Sequence, residues 1–333
     1  MPLNTHADHS SSSAARGAVP EKSSADPVVV VLLNNMPDAA LEATETQFLR
    51  LLQSAAGPHP IELRLAYLPE VGRAGGALER VRSAYRPIDE LLEQTADALI
   101  VTGLEPAAPR LVDEPYWPRI GQVLEWAERN THSSIWSCLA AHAAVQYLDG
   151  IERQRLAEKR CGVFAHELGV HALARGLRAP LCTPHSRWND LPVPALRAAG
   201  YTLLSYSAQN GADIFIKERA TLLLFLQGHP EYEATTLLRE YRRDIGRFLR
   251  GQQPHYPQLP EGYLSAEATQ LLLGFREQAL VRPDPQLLSS LPLARIEAGI
   301  ENRWQVNAVA LYRNWLEHLL AAKHSAARLT RER

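Results

Sequence analysis

A chain of 333 residues, 46% of them apolar, is long enough to bury one substantial α/β core, and its formal net charge of −2 gives no basic field for nucleic acid. Its longest apolar run, Val28 to Leu33, is far too short to span a bilayer and follows a polar stretch, so neither a membrane helix nor a secretory signal is expected and the chain reads as cytoplasmic. Cys138, Cys161 and Cys182 are the only cysteines; they lack metal-ligand spacing and their odd number argues against a disulfide framework, so no metal site is expected.

Residues 1–26 are rich in Ser, Ala and charge without periodicity, which predicts a disordered leader. Val28 to Leu33 opens the fold as a buried strand, and Ala40 to Leu52 follows as a helix with Phe48, Leu51 and Leu52 on one side. Strands are predicted at Ile61 to Leu68 and Ala96 to Val101, then a helix over Tyr116 to Arg129 and a strand ending near Cys138. Pro and Gly punctuate shorter strands over 151–220, after which Leu222 to Leu226 reads as a buried strand and Glu233 to Leu249 as a long helix. An irregular segment is expected over 251–264, then helices at Ala266 to Leu280 and Val306 to Lys323. Strand and helix alternation of this kind predicts α/β layering around a mostly parallel sheet. The expected organisation is a leader (1–26), a main α/β domain (27–250), and an irregular and helical C-terminal extension (251–333) packed on that domain.

Chemistry concentrates at two points. Gly228-His229-Pro230-Glu231-Tyr232 puts a His and a Glu two residues apart just beyond a buried strand, where the active sites of parallel sheets collect. Cys138 sits where a short apolar stretch passes into an alanine-rich helical one, a strand, turn and helix whose N-terminus favours a thiolate. A free Cys among apolar residues is by itself most often a small buried hydrophobe; the Cys and His-x-Glu combination is what suggests a triad, with Cys138 as nucleophile, His229 as base and Glu231 orienting the imidazole. His142, one helical turn from Cys138, is a rival base.

These segments carry a family resemblance. Leu33-Asn34-Asn35-Met36-Pro37, Glu42 to Leu52, Val101-Thr102-Gly103, Tyr116-Trp117, the Cys138 segment, Glu158 to Phe164, Pro184-His185-Ser186-Arg187, Gly228 to Tyr232, Arg243-Asp244 and a late Asn314-Trp315-Leu316 occur in one order. Together they resemble the homoserine O-acyltransferases of the homoserine O-succinyltransferase family. The resemblance covers roughly residues 27 to 250 and, more weakly, 304 to 320. It implies a class I glutamine amidotransferase-like fold and ping-pong acyl transfer in methionine biosynthesis, from succinyl-CoA or acetyl-CoA as co-substrate to L-homoserine, with no bound cofactor; a homodimer is also expected.

The resemblance also assigns residues. It places Lys159 near the reacting acyl group, Ser186 in substrate binding, and Glu240 and Arg243 on the acceptor's amino and carboxylate groups; an i,i+3 surface ion pair is what that last spacing alone suggests. The backbone of Leu139 is the expected oxyanion donor, with a second around Asn35 and Met36. Ala107 stands where the family selects the acyl group, Gly going with succinyl and Glu with acetyl; a small Ala leaves room for succinyl, although Glu105 would oppose its carboxylate if it faced the pocket, unless balanced by Arg110. The sequence departs from the family at Leu139 and His142, where Trp and Gln are usual. Acylation of serine or another hydroxy amino acid, a glutamine amidotransferase subunit, and a non-catalytic binding homologue stay open as alternatives.

Overall fold

The computed structural model describes residues 26–331; the leader expected over 1–26 lies, apart from Asp26, outside the described residues. In chain order the elements are β1 (Val28–Leu33), α1 (Leu41–Ala56), β2 (Ile61–Tyr67), α2 (Gly75–Ala84), β3 (Arg86–Pro87), α3 (Ile88–Leu92), β4 (Ala98–Val101), α4 (Trp117–Asn130), β5 (Ser133–Ser137) and α5 (Leu139–Asp149). There follow β6 (Gln154–Leu168), β7 (Leu181–Asp190), α6 (Val193–Ala198), β8 (Thr202–Ser207), β9 (Gly211–Glu218), β10 (Leu222–Leu226), α7 (Thr236–Leu249), α8 (Ala266–Val281), α9 (Leu293–Glu297) and α10 (Gln305–Arg331).

All ten strands form one sheet in the order β3-β2-β1-β4-β5-β10-β9-β8-β6-β7. The first six are mutually parallel, and from β10 onward the neighbours are antiparallel. The fold is thus α/β, a mostly parallel open sheet flanked by helices. The parallel strands are buried on both faces, which is why β4 (Ala-Leu-Ile-Val) and β10 (Leu-Leu-Leu-Phe-Leu) are apolar throughout instead of alternating. One face packs against α4 and α5 through Ile120, Val123, Leu124, Ala140 and Ala144. The other packs against α1 and α10 through Phe48, Leu52, Tyr312, Trp315 and Leu319. Trp315 also donates its indole N–H to Ser133 Oγ at 2.9 Å, which fastens the last helix to the central strand β5.

The stretch 151–220 differs from the short strands expected there. β6 runs 15 residues and pairs with β7 across a register shift between Arg155 and Arg160. Its exposed first half carries charges on both faces, so no two-residue alternation marks it. The irregular segment after α7 lies against this strand: Val163 donates to Glu261 O (2.8 Å) and Glu261 to Cys161 O (2.9 Å). That approach requires Gly162, whose φ is 150° and on which a Cβ would stand 2.2 Å from Glu261 O.

Candidate active site

β5 and β10 are parallel neighbours with Ser137 in register with Leu226, so the residues that follow them emerge side by side at the sheet's carboxyl edge. Cys138 is first out of β5 and caps α5. Its φ of 54° is the one positive value among described non-glycine residues, and its N–H donates to Leu226 O at 2.6 Å. A non-glycine residue held in that region costs on the order of 1–3 kcal/mol, strain that collects at functional sites. The turn points the thiol outward at the N-terminus of α5, a helix closed at its far end by Gly150 in the left-handed conformation.

Three residues beyond β10, His229 is 5% exposed and its Nδ1 lies 2.8 Å from Glu231 Oε1. Burial alone would lower the His229 pKa, but the Glu231 charge, the Cys138 charge and a hydrogen bond with Cys138 outweigh it, so His229 is held well above the ordinary histidine value. The three predicted triad residues are therefore together, with an imidazolium favoured between sulfur and carboxylate. His142 faces elsewhere. It is fully buried, its Nε2 lies 2.8 Å from Gln227 Oε1, and desolvation pushes its pKa down to about 4, which makes it a weak base.

α7 presents Glu240, Arg243 and Arg247 at spacings of three and four, on one face, while Leu237, Tyr241, Ile245 and Leu249 go into the core. Here the other predicted binding residues meet. Lys159 Nζ lies 2.7 Å from Asp244 Oδ2, Arg243 Nη2 lies 3.1 Å from Asp244 Oδ1, and Ser186 Oγ donates to Glu240 Oε2. Tyr232 connects this cluster to the triad: its hydroxyl donates to Glu240 Oε1 at 2.6 Å and its ring stacks on His229. Cations and anions that can each take one end of a zwitterion are thus joined through Tyr232 to the His229 ring. Cys161, behind the cluster, is buried and its pKa is pushed up to about 12.

The oxyanion assignments separate. Leu139 opens α5, so its N–H has no helical acceptor. Asn35 and Met36 do not match the expectation: Asn35 N–H is donated to Thr102 Oγ1 (2.8 Å) and Met36 N–H to Asn34 Oδ1 (3.2 Å), which leaves neither free. The backbone of Gly103 instead lies over the start of α5. A Cβ there would stand 3.1 Å from Leu139 N and 3.4 Å from Cys138 Cβ, so only glycine leaves that space open. The dipeptide Thr102-Gly103 carries too little information to single it out in the sequence.

The loop after Gly103 carries Ala107, which lines a cavity of about 540 Å³ with Arg110, Arg153 and Arg155. Glu105 does not line it. Its carboxylate pairs with Arg247 at 3.2 Å, not with Arg110, whose partner is Asp113 at 3.8 Å. Arg187 is buried and braced on Asn189 O, Asn210 O and Asp190, close enough for the Cys138 charge to act on it. Tyr232, Asp244 and Arg153 carry no role in the sequence reading. Their signal is a hydrogen-bond geometry that no spacing encodes.

Among the described residues, the group that could hold a metal is His166, His185 and Asp213, all buried. Asp213 Oδ2 already accepts the hydroxyls of Thr183 (2.9 Å) and Ser205 (3.0 Å), and Oδ1 faces His185 Nε2 at 3.3 Å. This is a polar network inside the sheet that lies against the His229 segment: a Cβ on Gly228 would stand 2.6 Å from Asp213 Oδ1 and 2.9 Å from His185 Nε2.

A strained cysteine on a helix N-terminus, beside a His and Glu pair at the edge of a parallel sheet, is the arrangement that an α/β enzyme working through a thiol would need. The family model for homoserine O-succinyltransferase matches residues 10–326. The homoserine O-succinyltransferase of Rhodopseudomonas palustris is 47% identical over 299 residues, 89% of this chain and 90% of that protein, and that of Bradyrhizobium japonicum is 46% identical over 88% and 91%. The chain belongs to the homoserine O-succinyltransferase family and is an acyltransferase. Among solved structures, a glutamine amidotransferase from Methylobacillus flagellatus is similar with a TM-score of 0.46 and 15% identity, over 88% of this chain and 94% of that one. A likeness at that level adds nothing to what the strand order defines. No described helix is long and apolar enough to cross a membrane.

Proposed function

We propose that this enzyme moves a succinyl group, in preference to acetyl, from the CoA thioester to the hydroxyl of L-homoserine in methionine biosynthesis, through an acyl-Cys138 intermediate. The Cys138 sulfur attacks the thioester carbonyl, His229 gives its proton to the departing CoA thiolate, and a new thioester of similar energy remains on the enzyme. His229, now neutral, takes the proton of the homoserine hydroxyl as its oxygen attacks the acyl group; the ester leaves and the thiol is restored. Glu231 holds the imidazole and supports its positive charge. Leu139 N–H, with the Gly103 backbone beside it, faces the developing oxyanion. Glu240 takes the amino group of the acceptor and Arg243 its carboxylate, with Lys159 and Ser186 beside them. The reaction runs in the cytoplasm, and a homodimer is the assembly we assign.

The observation that carries this reading is the continuous path from Cys138 through His229 and Tyr232 to the Glu240 and Arg243 cluster, which supports an amino-acid acceptor bound within reach of an acyl group on the sulfur. Membership of the family favours acyl transfer over amide hydrolysis. The cluster reads only amino and carboxylate groups, so serine or another hydroxy amino acid is a second reading. A panel of acceptors with succinyl-CoA decides it: thiol release should be sustained with homoserine and slow with serine. Equal rates with both would remove homoserine as the defining acceptor, and sustained release of ammonia from glutamine would replace acyl transfer altogether.

A further inference from the structure

Arg153 lines the cavity that holds Ala107, and its guanidinium is only partly engaged. Nη2 donates to Pro109 O at 3.4 Å, while Nη1 is buried and has no hydrogen-bond partner among the described residues. The Tyr116 hydroxyl is likewise buried without a partner, and the two side chains are close enough to act on each other electrostatically. Orphaned buried donors cost on the order of 1–3 kcal/mol each, and two together form a site for an acceptor. The other cavity cations are committed: Arg110 lies 3.8 Å from Asp113 and Arg155 covers the Trp188 ring at 4.3 Å. The opposing charges are Glu152, on the lining, and Glu114, whose Oε1 accepts the Ala108 N–H at 2.7 Å and whose charge acts on both Arg153 and Tyr116 without a hydrogen bond to either among the described residues.

The same loop joins this cavity to the nucleophile. At its first residue, Gly103, a Cβ would stand 3.1 Å from Leu139 N and 3.4 Å from Cys138 Cβ; its later residues Ala107 and Pro109 line the cavity, Pro109 O accepts from Arg153, and the Cys138 charge acts on Arg153. An acyl group on Cys138 that extended along this loop would run toward Arg153 on the cavity lining, with the Tyr116 hydroxyl as its neighbour.

We infer that Arg153 and Tyr116 bind the free carboxylate of the donor's acyl group, and so make a dicarboxylic acyl chain the preferred one; this rests on the acyl transfer proposed above. Space at Ala107 admits the longer chain, while a guanidinium and a phenol reward its charge, so that specificity has a steric and an electrostatic part. Loss of one charge-assisted hydrogen bond at such a site is a factor of about 10 to 100.

The test is the ratio of kcat/KM for succinyl-CoA to that for butyryl-CoA, which has the same chain length without the carboxylate. In Arg153→Gln that ratio should fall about 10- to 100-fold, in Tyr116→Phe it should fall less, and Arg153→Lys should recover part of it. If Arg153→Gln does not fold, the ratio in Tyr116→Phe and Arg153→Lys is read in its place. An unchanged ratio overturns the inference, as does a wild type that uses butyryl-CoA as well as succinyl-CoA. Failure of the underlying reading looks different: wild-type Cys138 would then take an acyl group from neither donor, and the subsite assignment would fall with it.

Discussion

The Tyr232 ring is stacked on that of His229, with 4.3 Å between centroids and 16° between planes, while its hydroxyl donates to Glu240 at 2.6 Å. One side chain therefore packs its face on His229 and bonds Glu240 with its edge. Tyr232→Phe keeps the stack and loses the hydroxyl. The expected result is a rise in acceptor KM of about 10- to 100-fold, the worth of one neutral-to-charged hydrogen bond, with little change in the rate of CoA release before acceptor is added. Stopped-flow thiol detection separates the two half-reactions. A slowed first burst with unchanged acceptor KM would place the tyrosine's role with the base alone.

Arg243 reaches Asp244 at 3.1 Å and is 43% exposed along its side chain, so part of the guanidinium remains available to a substrate carboxylate. Arg243→Lys should raise the acceptor KM strongly, because an ammonium cannot reproduce the planar fork, and should leave acylation from acyl-CoA close to normal. The reverse pattern would mean that this helix face serves the donor.

Lys159 and Asp244 form a pair that is 18% and 10% exposed. Burial pulls the Lys159 pKa down, but Asp244 and Glu240 raise it above the ordinary value; Asp244, which burial would raise, is held below the ordinary carboxylate value by Lys159 and Arg243. Asp244→Asn should destabilise the fold by about 3 kcal/mol, since it leaves a cation without its counter-ion. Adding Lys159→Met should cost less than the sum of the two single changes; a urea-melt double-mutant cycle reads the coupling, and strict additivity would contradict it.

Two buried histidines predict the acid limb of stability. Desolvation lowers His142 and His185 to about 4. Between roughly pH 6.5 and 4 the unfolded chain binds protons at these sites that the folded chain does not, so the contribution of these two sites falls as pH falls through that window and is flat above it. Each site contributes on the order of a few kcal/mol. The urea midpoint should drop from pH 7 to pH 4.5, and His142→Leu should flatten the drop. His142→Ala should also retain most activity, since the ring is buried and bonded to Gln227; a dead His142→Ala would transfer the role of base to it.

Much of this architecture was legible because parallel strands buried on both faces are written as unbroken apolar runs, as at Val28 to Leu33 and Leu222 to Leu226. The triad segments were legible for a related reason: residues that terminate such strands must stand at the sheet's edge. What was not legible came from contacts between distant segments. Neither the Glu105 pairing with Arg247 nor the lie of Gly103 over Leu139 follows from local spacing, and the internal bonds of Asn35 and Met36 remove an oxyanion assignment that their sequence neighbourhood favoured. β6 escaped notice because its charged half, Gln154 to Arg160, obeys no two-residue alternation.

The central claim is that acyl groups travel through Cys138. Purified protein is incubated with succinyl-CoA alone, its peptides are mapped by mass spectrometry, and homoserine is then added after removal of free donor. The expected result is one succinyl mass on the Cys138 peptide, none on those of Cys161 and Cys182, and its quantitative transfer to homoserine; Cys138→Ala should carry no label and His229→Ala should carry it only slowly. Full turnover by Cys138→Ala, or a Cys138 adduct that homoserine cannot discharge, would contradict the account.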